Sequence, residues 1–188
     1  MQKIGIAGGI GSGKSAVGKI LLRLGFEVLD CDLEVHRLYA TSSGLRSLLV
    51  QNFGSASLTE DGVDKKFLAD IIFDNPEKRL LLEGLVYPFL EGSIHSFFGN
   101  AKTGKAFLEA ALLHKVPQVV EALDAIWLVD APAEVRLERL VSRGLSRKDA
   151  ERRIEAQKEA PTFGSVPTFR LQNASDLASL ERKILELL

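Results

Sequence analysis

Cysteine, methionine and tryptophan each occur once in this chain, tyrosine twice and histidine three times. The one cysteine, Cys31, cannot close an intrachain disulfide, so a small disulfide-stapled secreted domain is excluded and a reducing cytoplasm is expected. His36, His95 and His114 stand apart from one another and from Cys31 without metal-ligand spacing, and are expected on the surface or on helices. Excess charge of either sign is missing too: 24 Lys and Arg nearly cancel 25 Asp and Glu, for a net charge of -1. Neither nucleic acid nor an anionic membrane is therefore attracted in general, and any phosphate binding must come from a local arrangement. No apolar run is long enough to cross a bilayer, and a glycine-rich loop occupies the place where a signal peptide would need its apolar region. The mature protein is expected to start at Met1.

What is present is a chain of 188 residues, 46% hydrophobic and 26% charged, enough for one well-buried core carrying a small mobile insert. β-favouring apolar runs predict strands at Lys3–Ala7, Phe26–Asp30, Ala106–Glu109, Ala125–Asp130 and Thr168–Gln172. Helical spacing of Val17, Ile20, Leu21 and Leu24 predicts a helix that stops at Gly25, and a last amphipathic helix runs from about Asp176 to Leu187. Strands separated by helices argue for a parallel sheet covered on both faces. Trp127, between Ile126 and Leu128, is expected in the core. Between the second and third strands, residues of about 33–98 form a long helical insert. It has a hairpin-like break at Asn52–Asp61, a helix start at Asn75-Pro76-Glu77 and a kink or restart at Pro88.

The strongest local signal is GGIGSGKS, formed by Gly8, Gly9, Ile10, Gly11, Ser12, Gly13, Lys14 and Ser15, between the first strand and the first helix. It satisfies G-x-x-x-x-G-K-[ST], in which glycines let backbone N–H groups turn onto an anion and the helix N-terminus adds its dipole. Lys14 is the expected partner of the β- and γ-phosphates of ATP, Ser15 the expected Mg²⁺ ligand, and Ala16 the end of the cradle. The loop lacks the G-x-G-x-x-G dinucleotide pattern, and the chain carries neither an Asn-Lys-x-Asp nor a Leu-Ser-Gly-Gly-Gln segment. Hydride transfer is disfavoured, the familiar GTPase and transporter-ATPase readings lack their second signatures, and a small-molecule kinase remains.

Asp30-Cys31-Asp32 ends the second strand, where ligands gather in parallel sheets. One carboxylate there is expected to accept the proton of an alcohol, and in an extended backbone the two point different ways. Capping of the following helix is the bland alternative. Arg139 and Arg143 share one helix face, followed by Arg147, Arg152 and Arg153, which suits either a solvated, ion-paired helix or an arm closing on ATP.

GGIGSGKS followed by Leu-Gly-x-x-Val-x-Asp-x-Asp at Leu24–Asp32 resembles the dephospho-CoA kinase family. The likeness continues through Asn52-Phe53-Gly54, Ile71-Ile72-Phe73, Tyr87-Pro88, Glu109–Leu113, Arg139–Arg143, Arg153–Gln157 and Asn173, and so covers nearly the whole chain. It implies an α/β, three-layer phosphate-loop kinase with a central parallel five-stranded sheet, a helical acceptor-binding insert and a lid of about 139–165. The activity implied is ATP-dependent phosphorylation of the ribose 3′-hydroxyl of dephospho-CoA, with no nucleic-acid or membrane partner. Asp32 is then the base, Asp30 or Glu109 the acid near Mg²⁺, Arg139 and Arg143 serve the lid, Gln157 and Tyr87 lie near the acceptor, and Asn173 lies by the adenine. The family usually carries His-Pro where this chain has Tyr87-Pro88, and often Pro-Leu-Leu-Phe-Glu at 111–115, where it has Ala111-Leu112-Leu113-His114-Lys115. A kinase for another nucleotide or metabolite alcohol, and a non-catalytic ATP-binding regulator, are the alternatives.

Overall fold

A computed structural model of the chain describes residues 1–60, 62–111, 113, 116–157 and 161–188. The end of the hairpin-like break at Asp61, the departures at Leu112, His114 and Lys115, and residues 158–160 of the expected lid lie outside the described residues. The chain divides into two compact units, Met1–Asp30 with Ala101–Leu188, and Cys31–Asn100.

The first unit is built on a sheet of five strands, β1 (Gln2–Ala7), β2 (Glu27–Asp30), β5 (Lys105–Glu109), β6 (Ala125–Asp130) and β7 (Thr168–Gln172). Their order is β2-β5-β1-β6-β7 and every pairing is parallel. The five expected strands are all present. Alternation along β1 sends Ile4 and Ile6 to one face, where they join Phe107, Trp127 and Val129 of the neighbouring strands. Helix α1 (Lys14–Arg23) supplies Val17, Ile20 and Leu21 to this cluster, and α9 (Leu177–Leu187) supplies Leu180 and Ile184. Phe107 is its centre, edge-on to Phe26 with ring centroids 5.6 Å apart and tilted against Trp127 at 5.1 Å. The opposite face closes over Gly5, whose missing side chain leaves room for Leu113, Leu123 and Ile126. With apolar cover on both faces, the inner strands read as nearly continuous apolar runs. Helix α1 stops as expected at Gly25, where Phe26 N–H donates to the Leu21 carbonyl and Gly25 N–H to that of Leu22, both at 3.0 Å. Helices α6 (Pro117–Glu121), α7 (Ala133–Ser142) and α8 (Arg147–Glu155) complete the unit.

The second unit holds α2 (Cys31–Thr41), α3 (Ser43–Phe53), a 3-10 turn at Ser55–Ser57, a two-stranded hairpin of β3 (Leu58–Thr59) and β4 (Gly62–Val63), α4 (Lys65–Ile72) and α5 (Pro76–Asn100). The break expected near residues 52–61 is this turn and hairpin. Side-chain caps start three helices: Ser42 accepts from Leu45 N–H, Asp64 from Phe67 N–H and Asn75 from Lys78 N–H.

Two expectations are corrected here. Of the kink or restart expected at Pro88, the restart does not occur, because α5 runs unbroken through the proline. Leu82, Val86, Leu90, Ile94 and Phe98, buried at every fourth position, anchor the helix on both sides of the proline. The residue whose carbonyl the proline ring would crowd, Gly84, has no neighbouring atom within 4 Å of a side-chain position, which leaves the backbone space to adjust. Nor is Asp30-Cys31-Asp32 extended throughout. β2 ends at Asp30 and α2 begins at once with Cys31, so Asp32 occupies the first turn of a helix, together with Glu34. Carboxylates in a first turn are favoured by the helix dipole, and here that preference takes over from the strand.

Candidate active site

β1, the middle strand, delivers the chain from Ala7 into the loop 8–13, and α1 leads away from it. This is the carboxyl edge of a parallel sheet, where strands leave room for a ligand. At the junction Gly13 has φ 99° and ψ 27°, a left-handed conformation, and a side chain there would meet Asn173 Nδ2 at 2.1 Å. Only glycine fits both conditions. Gly13 places no side-chain cap over α1, so the first-turn N–H groups are left for backbone turns and for a ligand.

Three consecutive loop carbonyls are held from one side. Ile10 O accepts from Arg136 Nε at 2.8 Å. Gly11 O and Ser12 O accept from Arg139 Nη1 at 3.3 and 3.2 Å, and Ser12 O also accepts from Asn173 Nδ2 at 2.8 Å. The second arm of Arg139 donates to Asn173 O at 3.0 Å and Oδ1 at 3.3 Å. Among the described residues no peptide bond is cis, and a trans peptide points its C=O and N–H in opposite directions. Holding the carbonyls of residues 10–12 on one side therefore turns the N–H groups of Gly11, Ser12 and Gly13 to the other. Ser12 N–H closes a turn onto Gly9 O at 3.1 Å, while the trans-peptide geometry leaves those of Gly11 and Gly13 directed away from the arginines that hold the carbonyls. An inward row of N–H groups with outward carbonyls is an anion cradle.

Lys14 folds back over the loop, its Nζ donating to Gly8 O at 2.9 Å. Ile10 N–H donates to Gln157 Oε1 at 2.7 Å, so the residue expected near the acceptor lies against the loop. Ser15 Oγ donates to Glu109 Oε1 at 2.8 Å. Glu109 is buried at the end of β5, paired in register with Ile6 of β1 and with Asp30 of β2. Ser15 and Glu109 present oxygens only, the donor chemistry of a hard cation such as Mg²⁺, and the glycine cradle suits a triphosphate. Among the described residues there is no cluster of three or more His, Cys, Asp or Glu able to hold a metal unaided. Asn173, 4% exposed, is fixed at the end of β7 by its own N–H donating to Asp130 O at 2.7 Å.

The structure thus brings together the loop, Arg139, Asn173, Gln157 and Glu109. Arg143, just past the end of α7, is exposed and takes no part in the grip on the loop. Asp32 and Tyr87 belong to the second unit, Asp32 exposed and Tyr87 half-buried on α5. Burial, and then the neighbouring Glu83 carboxylate, push the Tyr87 phenol above its ordinary range. Arg136 and Asp130 were missed in the sequence. Arg136 stands three residues before Arg139, and a count of helical arginines begun one turn earlier would have included it.

A loop of this kind between a central parallel strand and its helix, on a sheet of order β2-β5-β1-β6-β7, defines a phosphate-loop kinase fold. Shikimate kinase from Acinetobacter baumannii has the same fold at 16% identity, with a TM-score of 0.56 and cover of 100% of this chain and 92% of the other. Within that class the particular family is shown by a family model, Dephospho-CoA kinase, which matches residues 2–179. The chain belongs to the dephospho-CoA kinase family. It is 36% identical to a dephospho-CoA kinase of Aquifex aeolicus over 185 residues, covering 98% of this chain and 94% of the relative. The solved structure of TT1252 from Thermus thermophilus is 30% identical, with a TM-score of 0.77 over 99% of this chain and 95% of that one.

Proposed function

We propose that this chain transfers the γ-phosphoryl group of ATP to the ribose 3′-hydroxyl of dephospho-CoA, the last step in making coenzyme A, in the cytoplasm and with Mg²⁺. The observation that carries the reading is the cradle of Gly8–Ser15, with its carbonyls gripped from α7 and Asn173, in a chain that the family model matches almost end to end. Among the described residues no helix is long and apolar enough to cross a membrane.

In this reading the acceptor oxygen attacks phosphorus in line, the bond from phosphorus to the β–γ bridging oxygen breaks, and ADP leaves. The proton of the hydroxyl passes to the Asp32 carboxylate. Loop N–H groups within Gly8 to Ala16 that are not spent on turns or on Gln157, those of Gly11 and Gly13 among them, and the Lys14 ammonium neutralise charge that develops on the phosphoryl oxygens. Arg139 and Arg143 add positive charge, Tyr87 and Gln157 orient the acceptor, and Asn173 lies by the adenine. Held by Ser15 with Glu109 or Asp30 behind it, Mg²⁺ would screen the β- and γ-oxygens.

Transfer of labelled γ-phosphate from Mg-ATP to dephospho-CoA tests the reading, with the product identified by mass and by its 3′-phosphate. Product from the wild type and none from Lys14→Ala is the expected result. Tight ATP binding without that product would move the assignment to another acceptor or to a regulator. Undiminished turnover of Asp32→Asn at saturating substrate would remove Asp32 as the base.

A further inference from the structure

Arg136 carries a feature that its bond to Ile10 does not explain. Its Nη2 is buried and, among the described residues, has no hydrogen-bond partner. It lies 2.6 Å from the point where a Cβ on Gly9 would be, so the guanidinium tip rests directly against the loop. Burial pulls this arginine below its ordinary range, opposed by the Asp130 carboxylate. Asp130 is itself shared with Arg170 at 3.6 Å and Gln172 Nε2 at 3.3 Å. A half-buried cation whose inner nitrogen is unpartnered is costly, and it is tolerated best where a ligand brings the compensating charge.

We propose that Arg136 is a positioning residue for the nucleotide: it pins the loop through Ile10 O and sets an incompletely neutralised positive charge behind Gly9 that the nucleotide phosphates compensate. The first task aims the Gly11 N–H, because that group shares its peptide with the Ile10 carbonyl. The second makes the free loop electrostatically incomplete, so that binding the triphosphate relieves a cost already present in the protein. Gly9 belongs to the same device. Its lack of a side chain is what lets Nη2 approach, since any Cβ there would displace the tip.

The proposal rests on the loop holding a nucleoside triphosphate, and the experiment separates the two. Mg-ATP binding is measured by calorimetry for wild type, Arg136→Gln, Arg136→Lys, Gly9→Ala and the double variant Gly9→Ala/Arg136→Gln, with the ligand-free melting temperature of each. Losing the charge-assisted contact should raise the Kd of Arg136→Gln about tenfold, with Arg136→Lys recovering part of it and the KM for dephospho-CoA changing less than about twofold. Gly9→Ala should weaken binding several-fold when Arg136 is present and by less than about twofold when it is already glutamine. Equal effects of Gly9→Ala in both backgrounds would overturn the proposal. So would an Arg136→Gln Kd within about twofold of wild type, whatever its melting temperature. A wild type that does not bind Mg-ATP would overturn the nucleotide reading and this proposal with it.

Discussion

Replacing Arg139 by lysine keeps the charge and removes the fork, which makes it a sharp test of how the loop is held. The guanidinium donates to four acceptors, Gly11 O, Ser12 O, Asn173 O and Asn173 Oδ1, at 3.0 to 3.3 Å. A single ammonium nitrogen cannot reach acceptors spread across both arms of that plane, and at most two contacts survive. At these long distances each lost bond is worth about 0.5–1 kcal/mol, so the loss should be about 1–2 kcal/mol. For a chain of this length about 2–4 °C of melting temperature accompany each kcal/mol, which predicts a fall of about 2–8 °C. The one tryptophan, Trp127, is buried in the core of the first unit, so its fluorescence during heating or urea titration follows the unit that carries the loop. Mg-ATP should restore less stability to Arg139→Lys than to the wild type, because the cradle it binds is looser. A variant that melts within about 1 °C of the wild type and gains the same stability from the nucleotide would refute the claim that the fork holds the loop.

Glu109→Gln keeps an acceptor for Ser15 Oγ but removes the charge behind it; the free Mg²⁺ needed for half-maximal rate should rise about tenfold while ATP binding without metal is preserved, read from initial rates against metal concentration. Phe107→Ala removes the ring at the centre of the first unit's core and should cost about 3–5 kcal/mol, seen as an early unfolding transition in Trp127 fluorescence. Glu34, nearly buried on α2, is held below its ordinary 4.5 by hydrogen bonds from Arg37 and further by Ser93, against the opposing effect of burial. A lowered carboxyl pKa means that the unfolded chain binds more protons, so this stabilisation is complete above about pH 4.5 and fades as pH falls through the lowered value. Glu34→Gln should therefore flatten that part of the acid limb in urea titrations followed by far-UV circular dichroism, and an unchanged acid limb would contradict it.

The five strands and the phosphate loop were legible in the sequence because each is a local pattern. Apolar runs bounded by turns mark the strands, and glycine spacing marks the loop. What stayed hidden joins residues far apart in the chain: Ile10 to Arg136 and Gln157, and Ser12 to Arg139 and Asn173. A side chain reaching a carbonyl leaves no periodicity, since every residue has a carbonyl to offer. Arg139 was readable as a helical arginine and as part of a lid, but its bonds to the loop appear only once α7 is packed there. At Pro88 local propensity argued for a kink or restart, and a row of five buried side chains spaced four residues apart outweighed the restart. The second strand ends at Asp30 as expected, but whether the backbone stayed extended as far as Asp32 was not legible, because a carboxylate suits a strand end and a helix start equally well in sequence.

Arg136 and Arg139 are fastened to the loop by carbonyl oxygens, not by carboxylates. An amide dipole can fix the direction of a guanidinium but cannot cancel its charge, so, with Asp130 offsetting Arg136 in part, the two arginines still make a well for anions behind the loop. Such a well does not discriminate among small tetrahedral anions. Phosphate or sulfate in a buffer should settle in it and compete with the nucleotide, so an affinity measured in phosphate would understate one measured in a buffer without oxyanions.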